Sequence, residues 1–174
     1  MQNNLVNWYW KIDVNSEQLV LCLSSDIHFP TLFCRQQVSS LTSPQCAFTT
    51  EDAELYSAFR DLLGTTNLNQ EAQFTLAINA TAACNYLTPC ATKSWFFETL
   101  SKDKKTFECG DIVETQSLTL GYYLVLDSDP LTSTIILLSQ KQQVDSNRVF
   151  NQGQVLKVHN DRLEKKSNIE LLTL

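Results

Sequence analysis

A two-residue period of apolar and polar side chains runs through positions 7–14 and 18–23. This alternation predicts two half-buried β-strands joined by a tight turn. Residues 26–33 predict a third strand. Pro30 places that strand at the edge of its sheet, because proline has no N–H to donate to a neighbouring strand. We therefore predict a short sheet near the start of the chain.

Two helical patterns follow the predicted sheet. Residues 51–63 repeat apolar side chains at helical spacing, after Thr49 and Thr50, either of which can cap the helix. A second run begins after Asn69, a good capping residue, and ends near Tyr86. Its side chains are apolar or small on nearly every side, which is typical of a helix buried on more than one face.

The apolar pattern shortens after Pro89 into brief runs separated by turn residues. These runs predict strands over residues 94–100, 106–113, 118–127, 133–140, 148–151, 154–159 and 169–172. Many short strands at this spacing are typical of a small barrel or a sandwich. The change of period places a boundary near residues 88–93, and because no flexible linker separates the two parts, they are expected to pack together.

Composition and charge narrow the function classes. The chain is 43% hydrophobic with a formal net charge of −6, which favours a packed core and disfavours non-specific binding to nucleic acid or anionic membrane. Residues 1–90 hold three of the 13 basic side chains, so any cationic surface must come mainly from residues 91–174. The longest charge-free run, residues 72–92, is too polar for a membrane span. We expect a cytoplasmic protein whose six cysteines are free thiols.

Signals for catalysis are weak. The four glycines stand apart, no Cys-x-x-Cys pair is present, and His28 and His159 lie in separate halves. Asp127 and Asp129 fit a turn better than a calcium loop, because the further oxygen ligands are missing. A Cys–His pair formed in space stays a minor alternative. We therefore predict no catalysis, no cofactor and no bound metal.

Two segments are candidates for binding. Lys93 and Trp95 come just after the helix-ending proline, and Arg162 lies in a turn after a predicted strand. Trp and Arg are the residues that most often anchor protein interfaces. On this pattern alone, the favoured interpretation is that Trp95 fills the core and the cations are solvated. The aromatic run 8–10 could stack RNA bases, but it has only Lys11 beside it, so core packing is favoured.

Five short motifs occur between residues 7 and 163. They are Asn7-Trp8-x-Trp10, Phe29-x-Thr31-x-Phe33, Phe48-x-x-x-Asp52-Ala53-x-Leu55-Tyr56-x-x-Phe59, Tyr86-Leu87-x-Pro89-x-x-x-Lys93-Ser94-Trp95 and Gly153-x-x-x-Lys157-x-x-Asn160-Asp161-Arg162-Leu163. In content and order they resemble the ZapC family, FtsZ-associated cell-division proteins of gammaproteobacteria. The resemblance implies a protein of septation that binds FtsZ polymers, promotes their lateral bundling and stabilises the Z ring at mid-cell.

The resemblance also implies an architecture. It gives residues 1–90 as an N-terminal α/β domain, a short sheet plus two helices, packed on a C-terminal twisted β-barrel of short antiparallel strands over residues 91–174. The predicted fold class is therefore α+β. Bundling requires two FtsZ-binding surfaces on one molecule or self-association, and we favour a monomer.

The resemblance and the charge distribution together suggest a contact surface. The resemblance implies an acidic partner, FtsZ. Because this chain is itself acidic, it must rely on local charge complementarity at the contact with FtsZ. We expect an apolar centre with a basic rim, built from Lys93, Trp95, Lys157 and Arg162. The alternative function is a small-barrel protein that binds a ligand or RNA without catalysis, and an enzyme ranks third.

The chain departs from the family pattern in its first half. Relatives carry basic residues where this sequence has Pro30, Leu32, Gln36 and Thr88. An ionic contact surface over residues 29–36 is therefore disfavoured in this protein.

Overall fold

The computed structural model describes residues 7–38 and 44–167. In these residues it has two α-helices and eleven short strands, which pair antiparallel in three sheets. The α+β class is therefore confirmed. The predicted strand over residues 169–172 lies outside the described residues.

The first sheet is four-stranded. Its members are β1 (Tyr9–Ile12), β2 (Gln18–Cys22), β3 (His28–Cys34) and β4 (Gln45–Ala47). The order is β3-β2-β1-β4, so the proline-bearing strand is at an edge, as predicted. The sequence pattern did not predict β4, a three-residue strand that pairs with β1.

The first helix, α1 (Thr50–Leu63), begins with a reciprocal capping pair. Thr49 Oγ1 accepts the backbone N–H of Asp52 at 3.2 Å, and the Asp52 carboxylate accepts the backbone N–H of Thr49 at 2.8 Å. The same carboxylate is buried and accepts the indole N–H of Trp10 at 3.2 Å. One side chain thus starts the helix and ties it to β1.

The second helix, α2 (Gln70–Tyr86), is capped by Asn69, whose side-chain oxygen accepts the backbone N–H of Ala72 at 2.8 Å. Every residue of 76–83 is buried, which confirms the prediction of a helix covered on more than one face. The helix packs between α1, β3 and the second sheet. Asn79 bonds the edge of the first sheet, because its Oδ1 accepts the backbone N–H of Leu32 at 2.8 Å.

The second sheet is five-stranded, in the order β10-β7-β6-β5-β11. Its strands are β5 (Ile112–Gln116), β6 (Leu120–Ser128), β7 (Thr132–Leu137), β10 (Val155–His159) and β11 (Glu164–Lys165). A separate hairpin joins β8 (Lys141–Gln143) to β9 (Val149–Asn151).

Both faces of the second sheet are buried. Leu124 and Ile136 belong to one hydrophobic cluster with the side chains of α2, whereas Tyr123 and Ile135 belong to a second cluster on the opposite face. Strands with apolar side chains on both faces need a cover on each side, and an open layered sheet provides this. No closed barrel is found in the described part of the chain, so the predicted β-barrel is replaced by an open sheet with β10 and β11 at its edges.

The second cluster is covered by residues 92–107, called the strap below, together with the β8–β9 hairpin. Phe97 and Phe107 of the strap are buried in this cluster. The predicted strands over 94–100 and 106–113 are wrong: Ser94–Phe96 form one turn of 3-10 helix, and only residues 112 and 113 enter a strand. The first hydrophobic cluster contains residues of both halves of the chain, while the proposed division at residues 90/91 stays a prediction.

Candidate partner-binding site

Trp95 lies in the 3-10 turn of the strap. The segment that leads into this turn runs beside β10, where the backbone N–H of Lys93 donates to the carbonyl oxygen of Lys157 at 2.7 Å. The Ser94 side chain is buried and bonds His159 at the end of the same strand. The Trp95 ring, in contrast, is 65% exposed. The interpretation that Trp95 fills the core is therefore wrong.

Lys93 and Trp95 come together as a cation–π pair. The Lys93 Nζ lies 5.3 Å from the centroid of the Trp95 ring. Such a pair holds a positive charge beside a large apolar surface without burying either from solvent. The pair places a cation next to an apolar ring, while the predicted apolar centre with a basic rim stays a prediction.

A second cation–π pair adjoins the first one. Arg148, the residue before β9, places its guanidinium 4.9 Å from the centroid of the Phe96 ring, and the centroids of the Phe96 and Trp95 rings are 5.4 Å apart. Phe96 is anchored beneath by Phe150, edge to face at 5.5 Å. We call Lys93, Trp95, Phe96 and Arg148 the aromatic patch. Sequence reasoning missed Arg148, because nothing local in the chain indicates that it meets a residue 52 positions earlier.

Lys157, the third predicted site residue, faces the other side of its strand. Its neighbours Leu156 and Val158 point into the second cluster, whereas Lys157 lines a cavity of about 420 Å³ with Asp127 and Thr134. This cavity lies on the side of the sheet that α2 covers. Lys157 is therefore separated from the aromatic patch by the strand that carries it.

Lys157 also contributes to the electrostatics of a nearby turn. The pKa of Asp129 is lowered to about 2, chiefly by the hydroxyl of Thr132 and by the backbone N–H groups of Leu131 and Thr132, with a smaller effect from the Lys157 charge. The Lys157 charge therefore acts on a carboxylate of its own chain.

Arg162, the fourth predicted residue, has an intramolecular partner. Its Nη1 donates to the carbonyl oxygen of Phe97 at 2.8 Å, which fastens the strap. Its Nε lies 3.1 Å from Asp161 Oδ1, and the two groups form an ion pair without a hydrogen bond. The side chain is 26% exposed, so only a minor part of the guanidinium is open to a partner.

Asn160 explains why Asn-Asp-Arg-Leu occurs as a unit. Its amide nitrogen donates to the carbonyl oxygens of Lys105 and Asp129 at 3.1 and 2.9 Å. Its amide oxygen accepts the hydroxyl of Ser133 at 2.7 Å. Since Leu163 is fully buried, most of this motif stabilises the strap and the sheet.

The four positions where the resemblance led us to expect basic residues lie in or near a different groove. Leu32 and Thr88 line a cavity of about 390 Å³ beside Gly153, where an added Cβ would come within 2.7 Å of the Leu32 side chain. Pro30 is exposed in β3, and Gln36 is exposed in the turn that follows it. This groove is uncharged in the present chain.

The burial of two cysteines lowers the reactivity of their thiols. All six cysteines are free, and three of them (Cys84, Cys90 and Cys109) line the Lys157 cavity. The Cys84 sulfur lies 3.9 Å from the Leu126 carbonyl oxygen, and burial raises the pKa of its thiol to about 12. Burial also raises the pKa of Cys109. The Cys84 and Cys109 thiols therefore remain protonated at neutral pH, where a protonated thiol is a poor nucleophile.

Metal-ion groups and membrane-spanning helices were considered for the described residues. Within residues 7–38 and 44–167, no three His, Cys, Asp or Glu side chains form a group suited to a metal ion. No helix in that part of the chain is long and apolar enough to cross a membrane.

Comparison with known proteins connects the whole chain to one family. The family described as "Cell-division protein ZapC, N-terminal" matches residues 3–88, and "Cell-division protein ZapC, C-terminal" matches residues 89–168. The cell division protein ZapC of Pseudoalteromonas atlantica is 29% identical over 161 residues, which cover 90% of this chain and 89% of that protein. The protein of the same name from Photobacterium profundum is 26% identical over 170 residues, with 97% and 94% coverage. The chain belongs to the ZapC family of cell-division proteins.

Proposed function

We propose that this protein binds FtsZ polymers, bundles them laterally and so stabilises the Z ring, acting in the cytoplasm at mid-cell as a non-enzymatic accessory protein. The observation that carries the proposal is the exposed Trp95 ring with Lys93 beside it, in a chain of the ZapC family. A tryptophan exposed to this degree is a recurrent anchor of protein interfaces.

The charges of the aromatic patch support an acidic partner. The chain carries a net charge of −6, so long-range attraction to an acidic polymer is absent. Lys93 and Arg148 nevertheless bring two cations next to adjoining rings. Within a contact, such cations can each pair with a carboxylate while the rings are covered by apolar side chains.

The four predicted site residues are proposed to contribute unequally. Lys93 and Trp95 belong to the aromatic patch and are proposed as the centre of the contact. Lys157 faces Asp127 and the Asp129 turn, and Arg162 bonds Phe97, so both are proposed to contribute less by direct contact. Arg148 joins the set because of its place over Phe96.

Co-sedimentation with assembled FtsZ from the same organism tests the proposal. Trp95→Ala should weaken binding more than about fivefold, because loss of an interface anchor costs over 1 kcal/mol. Leu131→Ala is the matched control, since Leu131 is an equally exposed apolar side chain at 67% and lies outside the patch. Unchanged binding by Trp95→Ala would contradict the proposed site.

The same geometry motivates one competing function. An exposed indole beside a cation is also an element of single-strand nucleic-acid binding. Titration of the protein with single-stranded RNA at two salt concentrations separates the two functions. Tight binding with a steep salt dependence would favour the RNA-binding alternative over an FtsZ partner.

A further inference from the structure

The 3-10 turn that carries Trp95 is fastened at its beginning. Ser94 Oγ accepts the backbone N–H of His159 at 2.8 Å, and a second hydrogen bond of 2.7 Å joins this oxygen to His159 Nδ1. The preceding residue, Lys93, bonds β10 through its backbone N–H. The start of the turn is therefore held to the edge of the second sheet.

The end of the turn is fastened by a different element. The Phe97 carbonyl oxygen accepts Arg162 Nη1 at 2.8 Å. The Phe97 backbone N–H closes the turn by donating to the Ser94 carbonyl oxygen at 3.1 Å. The Phe97 ring is only 4% exposed, so its side chain anchors the turn in the second cluster.

Trp95 lies between these two attachments and has little packing of its own. Ser94 is 6% exposed and Phe97 is 4% exposed, against 65% for Trp95. A ring with so much free surface takes its position from the backbone beneath it. Holding that backbone in one conformation lowers the entropy lost on binding.

We propose that Ser94, His159 and Arg162 are positioning residues for Trp95. They fix the turn that presents the indole ring, and they affect partner binding through that ring rather than by touching the partner. This inference rests on the proposed function and gives Arg162 a role that depends on its hydrogen bond more than on its charge. Two hydrogen bonds thereby connect residues 94 and 97 with residues 159 and 162, at or next to the Lys-Ser-Trp and Asn-Asp-Arg-Leu motifs and more than 60 positions apart.

The alternative is that His159 and Arg162 contact the partner themselves. Their geometry disfavours this alternative. The Nδ1 atom of His159 is engaged by Ser94, and Asp161 lies beside the Arg162 guanidinium, which offsets its charge. A contacting cation would contribute mainly at low salt, whereas a positioning hydrogen bond would contribute equally at low and high salt.

The test uses the full chain labelled with 5-fluorotryptophan. The ¹⁹F resonance of Trp95 is identified by its loss in Trp95→Phe, and binding is measured by co-sedimentation with assembled FtsZ. We expect His159→Ala and Arg162→Ala to shift or broaden this resonance and to weaken binding about three- to tenfold at both low and high salt. His159→Asn should restore both properties, because its side-chain oxygen can accept the Ser94 hydroxyl. His28→Ala, at another exposed histidine, is the control.

Each outcome supports or overturns the inference. An unchanged Trp95 resonance in both alanine variants overturns it, and so does a loss of binding that disappears at high salt. If Trp95→Ala weakens binding and His159→Ala does not, the positioning role fails while the proposed function stands. If Trp95→Ala binds as the wild type does, the proposed site and the positioning role fail together.

Discussion

The two faces of the five-stranded sheet are covered by different kinds of structure. One face packs against α2, a regular helix whose backbone hydrogen bonds are internal. The other face packs against the strap and the β8–β9 hairpin. The strap has no strand partner of its own over residues 97–107, so its backbone bonds go to residues such as Asp161 and Gln116.

The two covers differ in how many side chains they leave exposed to a partner. A helix that is buried on several faces has few side chains left for a partner, and residues 76–83 of α2 are all buried. The strap is irregular, and it exposes Trp95 between the buried residues Ser94 and Phe97. Binding residues are commonly found on irregular segments held by a rigid scaffold. The aromatic patch, as the proposed binding site, would follow that rule.

Deleting one large side chain from each face should have the largest effect. Leu124 faces α2, and Phe97 of the strap packs on the opposite face near Tyr123 and Phe150. Leu124→Ala should lower the free energy of unfolding by about 2–5 kcal/mol and Phe97→Ala by about 3–5 kcal/mol, from lost burial plus a cavity. Urea denaturation gives these values.

The same two variants separate the roles of the faces. In the folded protein, Phe97→Ala should change the ¹⁹F resonance of Trp95, and Leu124→Ala should leave it unchanged. Phe97→Leu is the milder control for the strap side. Equal changes of the Trp95 resonance in both variants would show that the two covers are not independent.

The packing of the β8–β9 hairpin on the second sheet depends on a close approach between Gln142 and Gly121. Gln142 is fully buried in β8, where its Oε1 accepts the Tyr123 hydroxyl at 2.6 Å and its Nε2 donates to the Thr119 carbonyl oxygen at 2.9 Å. A Cβ at Gly121 would lie 2.3 Å from that Oε1. Gly121→Ala should therefore destabilise the protein by about 1–3 kcal/mol.

A double-mutant cycle tests the cause of that loss. If the clash with Gln142 is responsible, Gly121→Ala should cost clearly less in a Gln142→Ala background. Chemical denaturation of the four proteins provides the comparison. Strictly additive losses would indicate that Gly121 is required for another reason.

Charge reversal in the strap should affect binding and leave stability nearly unchanged. Lys93→Glu should alter the free energy of unfolding by no more than about 0.5 kcal/mol, since a partly exposed surface charge is removed. It should weaken co-sedimentation with FtsZ, because a carboxylate would then face an acidic partner. Lys104→Glu is the matched control, an exposed lysine of the same strap. Equal effects of the two variants would indicate net charge rather than the patch.

The smallest expected effect comes from a turn that supports the strap. The pKa of Asp129 is lowered to about 2, first by the Thr132 hydroxyl, and the carbonyl oxygen of Asp129 accepts Asn160 Nδ2 at 2.9 Å. A depressed carboxyl pKa stabilises the fold above the unfolded-state pKa, and this contribution disappears as pH falls through the folded value. The relevant window is therefore about pH 4 to 2.

Melting temperatures across that window test the effect. The wild type should lose more stability between pH 4 and pH 2 than Asp129→Asn does, because only the carboxylate is titrated. Asp103→Asn, at an exposed carboxylate of the strap, should behave as the wild type. A wild type and an Asp129→Asn variant with the same pH profile would contradict the assignment.

The helices and strands that could be predicted from the sequence are those indicated by residues close together in the chain. The sequence placed the two helix starts at Thr49 or Thr50 and at Asn69, because a capping side chain acts within three residues of its own position, and the structure has Thr49 as the first cap. The uniformly apolar α2 was predicted as a helix buried on several faces. The two-residue period agrees with β1, β2 and β3 of the first sheet. It also agrees with β6, β7 and β10. The family motifs also lie in the sequence itself.

The form of the strap and the composition of the aromatic patch depend on tertiary contacts, and the sequence pattern did not predict them. Phe97 and Phe107 have strand-like apolar spacing, but the backbone of residues 97–105 is bonded mainly to residues 160–162 and is not part of a sheet ladder. Trp95 is exposed in a turn whose Ser94 bonds His159 and whose Phe97 bonds Arg162. Arg148 reaches Phe96 through the fold of a distant hairpin. These contacts join residues more than 50 positions apart, and local periodicity carries no information about such pairs.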